Sequence, residues 1–243
     1  SMMIPGVFST SFDIGNSSFG TSSTIAARSG GRAGGNVVTI DGVLWCQSYA
    51  NYGSFEEMNV STNAKGADQM NSGITLAMVV KSGSNAFHGN VSAKYQNGSM
   101  QSNNISPELV AQGYPTGSNK YTHFDDFYGD IGGPILKDRL WFYGSYRQGY
   151  QGTFIPGFRT AVGADYATFF TKLYQPDAKL TYQMTAKQKL EAYVGIPLKW
   201  QPYRGGNALN PQNSTQNQRS WSSQGPMLTY TNIINSKTSL TAK

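Results

Sequence analysis

The 243-residue sequence predicts a mainly β fold, in which a glycine-rich N-terminal unit precedes a series of antiparallel strands. The first observation is the alternation of apolar and polar residues over 87–96, which recurs in later segments and is typical of strands with one apolar face. The second is that short turns and long polar stretches connect these segments in rotation. The composition, with 13% charged residues, 28 glycines and 15 tyrosines, agrees with strands joined by long polar loops.

The N-terminal unit contains three strand candidates that differ in character. Residues 36–40 are rich in β-branched side chains and run into Asp41-Gly42, a dipeptide typical of tight hairpins. A second candidate covers 58–62. A third, 73–80, is a nearly continuous apolar run, as expected of a strand that is buried on both faces. We expect the three strands to share one sheet.

The turn at 81–85 is the predicted border between two structural units, residues 1–85 and 86–243. After it, the period-two pattern predicts six strands, and a seventh begins near Thr238. The six predicted strands are 87–96, 124–133, 140–150, 177–184, 189–196 and 227–234.

The connections between these strands predict a transmembrane barrel. Tight turns at 134–139, 185–188 and 235–237 alternate with polar loops at 97–120, 149–170 and 197–224. Strands of about ten residues in this arrangement are typical of outer-membrane barrels, although a soluble β-domain is the alternative. Trp141, Phe142 and Tyr143 follow a short turn, where an aromatic girdle is expected. The residues expected to face lipid are Phe87, Val91, Tyr95, Phe142, Tyr146, Leu180, Tyr182, Leu190 and Val194.

Other features of the sequence argue against several function classes. The net charge of +6 comes from scattered Lys and Arg, so no nucleic-acid partner is predicted. The single cysteine, Cys46, excludes an internal disulfide and a cysteine-rich metal site. No nucleophile lies in a recognisable pattern with a base, so the sequence predicts neither an enzyme nor a cofactor. His123 and Asp125 form a weak candidate for a metal site at the mouth of a strand.

Four stretches of the sequence resemble TonB-dependent outer-membrane receptors. Residues 37–43 (VVTIDGV) and 55–62 (FEEMNVST) resemble the plug domain of these receptors. Residues 73–89 are similar to the plug-to-barrel junction of the Oar-like subgroup, and 130–146 resemble the second barrel hairpin of that subgroup. The resemblance implies plug-motif roles for Asp41, Gly42, Glu56, Glu57, Lys81 and Gly83.

The resemblance also implies an architecture and a function. Residues 1–85 would form a plug domain, and residues 86–243 the first six or seven strands of a barrel of about 22 strands. Such a receptor sits in the outer membrane of a Gram-negative-type bacterium and takes up a large nutrient, such as a peptide, a glycan or a chelate. Its implied partners are outer-membrane lipid, the rest of the barrel or other subunits, and the TonB complex, which acts through a segment upstream of these residues. A secreted or surface β-rich binding module without transport is the alternative.

The predicted loop 197–224 is the best candidate for a ligand site. It combines aromatic and cationic side chains with many Asn and Gln, a mixture that suits sugars or peptides. A loop that is merely solvated is the alternative. The candidate ligand-binding residues are Trp200, Tyr203, Arg204, Arg219 and Trp221.

Overall fold

The computed structural model describes residues 7–9, 25–27, 37–44, 51–61, 74–103, 105–114, 120–161, 166–221 and 224–243. Cys46 and Thr62 lie outside the described residues. Within these ranges one short α-helix, α1 (Pro107–Ala111), is present besides 3-10 turns at Tyr52–Ser54, Gly98–Met100 and Gln212–Ser214, and no helix is long and apolar enough to cross a membrane. The strands are β1 (Val7–Ser9), β2 (Ile25–Ala27), β3 (Val37–Ile40), β4 (Val43–Leu44), β5 (Phe55–Ser61), β6 (Thr75–Val80), β7 (His88–Gln96), β8 (Tyr121–Leu136), β9 (Leu140–Arg159), β10 (Tyr166–Thr185), β11 (Gln188–Gly195), β12 (Leu198–Arg204), β13 (Gln216–Trp221), β14 (Gln224–Asn235) and β15 (Thr238–Ala242).

The strands form two principal sheets, besides a separate pair of β1 with β2. The small sheet has the order β4-β3-β6-β5, with β3 and β6 parallel and the other pairs antiparallel. This confirms that the three predicted N-terminal strands share one sheet. The large sheet runs β7-β8-β9-β10-β11-β14-β15 and is antiparallel throughout. The strands on either side of residues 81–85 therefore lie in different sheets, while the division into domains 1–85 and 86–243 stays a prediction.

The hairpin between β3 and β4 follows from the Asp41-Gly42 turn. Both residues have positive φ, 46° at Asp41 and 76° at Gly42. A two-residue hairpin turn of this type requires positive φ at both central positions, which Asp and Gly tolerate better than other residues. The turn leaves the Asp41 side chain at the edge of the small sheet, where it faces β10.

The nine strand segments of the large sheet cross it seven times, because two of the crossings consist of two segments each. β11 and β12 are separated only by Ile196 and Pro197, and both pair with β10. β13 and β14 are separated only by residues 222–223 and pair with β12 and β11. The crossings run up and down, with β7 and β15 as the two open edges. This arrangement confirms the predicted series of six or seven antiparallel barrel strands.

The predicted lengths of several strands are wrong. β9 and β10 each contain 20 residues, so most of the predicted loop 149–170 is strand. The predicted loop 197–224 contains β12 and β13, and the connection between them is 205–215. Glycine, proline and glutamine interrupt the apolar alternation in these stretches. Backbone hydrogen bonds to neighbouring strands nevertheless continue through them, because pairing requires main-chain groups and not an apolar face.

Burial distinguishes an inner face and an outer face of the large sheet. Asp177, Lys179 and Thr181 on β10 are at most 8% exposed, whereas Leu180, between them, is 47% exposed. Residues paired directly across neighbouring strands share a face, so the outer face can be followed from strand to strand. All nine residues predicted to face lipid lie on the outer face or at its edge beside β7.

Two predictions about facing are wrong. Trp141 and Tyr143 lie on the inner face, because neighbours of Phe142 in a strand must point the opposite way, so only Phe142 can belong to an outer girdle. Strand β6 is not buried on both faces. Met78 and Val80 are at most 1% exposed, but Val79 is 38% exposed, because only one face of the small sheet packs on the large sheet.

Candidate functional site

The small sheet packs against the inner face of the large sheet through an apolar core. Val80 and Met78 from β6 are at most 1% exposed, and Tyr143 of β9 is 2% exposed. Burial of this much apolar surface is the main non-directional force that holds the two sheets together. The buried residues of the core are Ile40, Phe55, Met78, Val80, Tyr143 and Tyr193.

Beside this core, Lys179 of β10 holds the β3–β4 turn. Its Nζ donates to Asp41 Oδ2 at 3.0 Å and to the Val80 carbonyl at 3.2 Å. Glu191 Oε1 lies 3.6 Å from the same nitrogen. The other carboxylate oxygen of Asp41 accepts from the Val80 backbone N–H at 3.0 Å. Asp41 therefore joins β6 to the barrel wall through one carboxylate.

Asn51 forms a second polar contact with the wall. Its Nδ2 donates to Asp177 Oδ2 at 2.8 Å and to Ser145 Oγ at 3.1 Å. Ser145 Oγ donates to the same Asp177 oxygen at 3.1 Å, and Tyr193 OH donates to Asp177 Oδ1 at 3.0 Å. Three neighbouring donors thus surround a carboxylate that is 8% exposed, as a buried acidic group requires.

Lys81 forms a third contact, just after β6. Its Nζ lies 2.7 Å from Asp130 Oδ2, and the Asp130 side chain is 3% exposed. Tyr128 OH lies 2.6 Å from the Gly53 carbonyl and 2.5 Å from Asp130 Oδ2. Asp130 Oδ1 also accepts from the Asn90 backbone N–H at 2.6 Å. This cluster connects the end of the small sheet to β7 and β8.

The linking segment 81–87 lies close to the first short turn of the large sheet. Asn85 Oδ1 accepts from Trp141 Nε1 at 2.8 Å and from the Asp138 backbone N–H at 2.9 Å. A Cβ added at Gly83 would collide with the carbonyl oxygens of Phe142 and Gly133. Glycine is therefore required at position 83, where two backbones approach each other closely.

The structure separates the six plug-motif residues into two groups. Asp41, Gly42, Lys81 and Gly83 lie where the small sheet meets the large sheet. Glu56 and Glu57 lie on the edge strand β5 and are exposed, and Glu57 Oε1 accepts from Asn59 Nδ2 at 2.8 Å. The sequence signal for the contact residues that were missed is a polar side chain on the inner face of an alternating strand. These residues are Tyr128, Asp130, Ser145, Asp177 and Lys179, whereas Asn51 lies before β5, outside any strand, and has no such signal.

The predicted ligand residues lie mainly on the β12–β13 hairpin rather than in a loop. Trp200 is on the outer face, because Lys199 and Gln201 on either side of it are 6% exposed and inward. The Arg219 guanidinium lies 5.2 Å from the centre of the Trp200 ring. Phe170 contacts both Trp200 and Tyr203, with ring centres 5.7 and 5.5 Å apart. Arg204 is exposed at the end of β12, and Trp221 pairs with Leu198 through the backbone, while its side chain lies outside the description.

The ligand-binding role of the five predicted residues on the β12–β13 hairpin stays a prediction.

At the predicted metal site, His123 Nε2 lies 2.5 Å from Asp125 Oδ2. Within the described ranges, no three His, Cys, Asp or Glu side chains are close enough together to hold a metal ion.

Comparison with known proteins agrees with this architecture. Residues 79–154 match the family model of an outer membrane beta barrel domain. Over 75 residues the chain is 37% identical to the TonB-dependent transporter Oar of Myxococcus xanthus, a match that covers 30% of this chain and 7% of the relative. The chain therefore spans a small part of that relative.

Two solved structures share the fold. The siderophore receptor PirA of Acinetobacter baumannii superimposes with a TM-score of 0.62 and 16% identity, over 94% of this chain and 34% of the receptor. A variant of the ferric enterobactin receptor PfeA of Pseudomonas aeruginosa superimposes with a TM-score of 0.56 and 15% identity, over 87% of this chain and 32% of the receptor. The barrel domain places the chain in the outer membrane. In sequence and in fold, the chain is similar to TonB-dependent outer-membrane receptors, the family that its sequence resembles.

Proposed function

We propose that this chain is the plug and the first barrel strands of a receptor that takes up a large nutrient with energy supplied by the TonB complex. The observation that carries the proposal is the contact between the small sheet and the inner face of the large sheet. The small sheet is held by Lys179, Asp177 and Asp130 from the wall, in addition to the apolar core. The similarity to the transporter Oar supports the same function.

A contact of this composition suits a plug that must stay seated and yet be displaced by force. Buried ion pairs and hydrogen bonds hold a defined geometry, but their net stabilisation is modest because water replaces the partners when they separate. When the small sheet is pulled, Asp41 and Lys179 would regain water rather than expose a wholly apolar surface. A force applied upstream of these residues would therefore break the polar contacts at low cost, and the main resistance to displacement would come from the apolar core.

The inner face beyond the contact with the small sheet is polar, which suits a hydrated ligand. Arg147 binds Asp126 through two nitrogens at 2.7 and 2.9 Å, and Gln201 donates to Thr171 at 3.0 Å. Peptides, glycans and chelates all present the donors and acceptors that such a surface recognises. The solved receptors share only the fold at this level of identity, so we propose the general class of a large polar nutrient.

The test uses the full-length protein in its own cell. Growth is compared among a strain lacking the gene, a complemented strain, and a complemented strain lacking TonB, with a ferric chelate, a peptide mixture or an oligosaccharide as the limiting source. If the protein is a TonB-dependent transporter, one of these sources should support growth only when both the receptor and TonB are present. Growth that depends on the gene but not on TonB, or on neither, would contradict the proposal and favour the binding module.

A further inference from the structure

A cluster of aromatic rings around a lysine lies on the outer face of the large sheet. Lys172 Nζ is 5.0 Å from the ring centre of Tyr150, 5.9 Å from that of Phe170 and 5.4 Å from that of Trp200. The Arg219 guanidinium lies 5.2 Å from the centre of the same Trp200 ring. We name these five residues the Lys172 cluster. Trp200 lies between the two cations, because it pairs with Lys172 on one side and with Arg219 on the other. Both cations are attracted to its ring.

The cluster faces away from the barrel interior. Thr171 and Leu173, on either side of Lys172, are 3% and 5% exposed and belong to the inner face. Lys172 pairs across the sheet with Tyr150 on β9 and with Trp200 on β12, so all three side chains share the outer face. This face contacts the membrane in an outer-membrane barrel.

The height of the cluster corresponds to the outer boundary of the hydrocarbon layer. Lys172 lies ten positions along β10 from Tyr182, which is close to the short turn at 186–187. Ten residues of a strand tilted by about 40° rise about 25 Å along the membrane normal, which is the height of the apolar band of such barrels. Between Tyr182 and Lys172 the outward residues of β10 are all uncharged, and Lys172 is the first charged residue on this face. The uncharged residues are Leu180, Ala178, Pro176 and Tyr174.

The two cations of the cluster have no acidic partner in the described part of the chain. No carboxylate there lies within ion-pair distance of Lys172 or Arg219. Asp125 pairs with Tyr150 across the neighbouring strands and shares this face, but its carboxylate is hydrogen-bonded to His123 instead. Beside Trp200 and Arg219 lies a groove of about 470 Å³, which is also lined by Tyr174, Leu198, Lys199 and Ser220.

We propose that the Lys172 cluster binds the phosphorylated headgroup of a lipid in the outer leaflet. Lys172 supplies a point charge on one side of Trp200 and Arg219 a planar donor pair on the other, and each suits the phosphate oxygens of a headgroup. Trp200 and Tyr150 are amphipathic rings of the type that lies at the level of membrane headgroups. The groove beside them accommodates part of the headgroup or the first atoms of an acyl chain. This site lies on the opposite face of the wall from the small sheet.

The test measures lipid binding to the full-length protein, purified in a neutral detergent, by native mass spectrometry. The probes are diphosphorylated lipid A and its dephosphorylated form, with and without excess inorganic phosphate. The double variant Lys172→Gln/Arg219→Gln is compared with Lys137→Gln/Lys187→Gln, which removes two exposed lysines from the short turns at the other end of the strands. The heat-dependent gel mobility of folded barrels confirms that each variant folds, and the two single variants replace the double variant if it does not.

We expect the affinity for the phosphorylated lipid to fall about tenfold or more in the cluster variant and to stay unchanged in the turn variant. The dephosphorylated lipid should bind weakly and equally to all forms. Equal binding of the phosphorylated lipid by the cluster variant, or equal affinity of the native protein for both lipids, would overturn the proposal. Displacement of the lipid by excess inorganic phosphate would also overturn it, because the site would then be one for free phosphate.

Discussion

The ammonium group of Lys179 lies 3.0 Å from the carboxylate of Asp41, although 138 positions separate the two residues in the chain. The Lys179 side chain is 5% exposed and that of Asp41 is 19% exposed, so the pair is largely shielded from water. It joins the β3–β4 turn of the small sheet to the barrel wall. The pair is thus a direct test of whether the small sheet depends on the wall for its position.

Replacing Lys179 with Gln should loosen the small sheet. The change removes the buried positive charge beside Asp41 and shortens the side chain by one atom, which is expected to cost about 3 kcal/mol. Unfolding of the full-length protein in vesicles, together with protease sensitivity of the small sheet, measures this effect. The control is Lys189→Gln, whose side chain is 39% exposed beside Glu191 and which should change stability by less than about 1 kcal/mol. Equal effects of the two variants would contradict a role for Lys179 in seating the small sheet.

Replacing Gly83 with Ala should destabilise the junction between the two sheets. The added methyl group meets backbone oxygens on β8 and β9, which cannot rotate away, so we expect a loss of about 1–3 kcal/mol. Gly129→Ala is the matched control, because the nearest atom to its added Cβ would be the Asn90 oxygen at 4.0 Å. Denaturant unfolding measures the free energy of unfolding of both variants. A Gly83 variant as stable as the control would show that the linking segment moves freely.

Replacing Leu180 with Arg tests the membrane-facing surface. Leu180 is 47% exposed on the outer face of β10, and a charge there is expected to cost about 2–4 kcal/mol near the bilayer midplane. Leu209→Arg is the control, because Leu209 is 89% exposed in the connection 205–215 and should tolerate the charge. Folding of the full-length protein into vesicles compares the two variants. An Arg at position 180 that costs nothing would place β10 outside the lipid.

Residues 1–243 expressed alone should not form a soluble, stable monomer. The large sheet has two open edges, β7 and β15, and unpaired backbone groups at such edges recruit other strands. Its outer face also exposes a contiguous apolar surface, including Val91 at 72%. Size measurement and thermal melting without detergent test this expectation. A monodisperse monomer with a cooperative transition would argue for the soluble β-domain instead.

Local patterns predicted much of the large sheet, because a strand's facing depends on its nearest neighbours. The alternation around Leu180 and Val91 distinguished inward from outward residues correctly. The alternation fails near Trp200, where Pro197 and Pro202 interrupt the pattern, so the sequence predicts a loop where the structure has the β12–β13 hairpin. Pairing between backbone groups continues there without any periodic signal in the side chains.

The contact between the two sheets was predicted only in part, because its partners are distant in sequence. Asp41, Lys81 and Gly83 were identified through the resemblance to a family. Their partners on the wall, such as Lys179 and Asp130, appear in the sequence only as polar members of alternating strands. Which of several inward polar residues meets the small sheet depends on how the two sheets pack, and no local pattern contains that information.

In the proposed function, the small sheet rests on the barrel wall and must move for uptake. The direct test tethers the two in the full-length receptor. Asn51 Nδ2 lies 3.1 Å from Ser145 Oγ, so Asn51→Cys and Ser145→Cys, in a Cys46→Ser background, place two thiols within reach of a short, reducible bis-thiosulfonate. We predict that cells with the tethered receptor lose TonB-dependent uptake and regain it after reduction. Uptake by the Asn51→Cys single variant, treated with the same reagent, should not change on reduction. Equal uptake before and after reduction, with the tether confirmed by gel mobility, would show that the small sheet need not move away from the barrel wall for uptake.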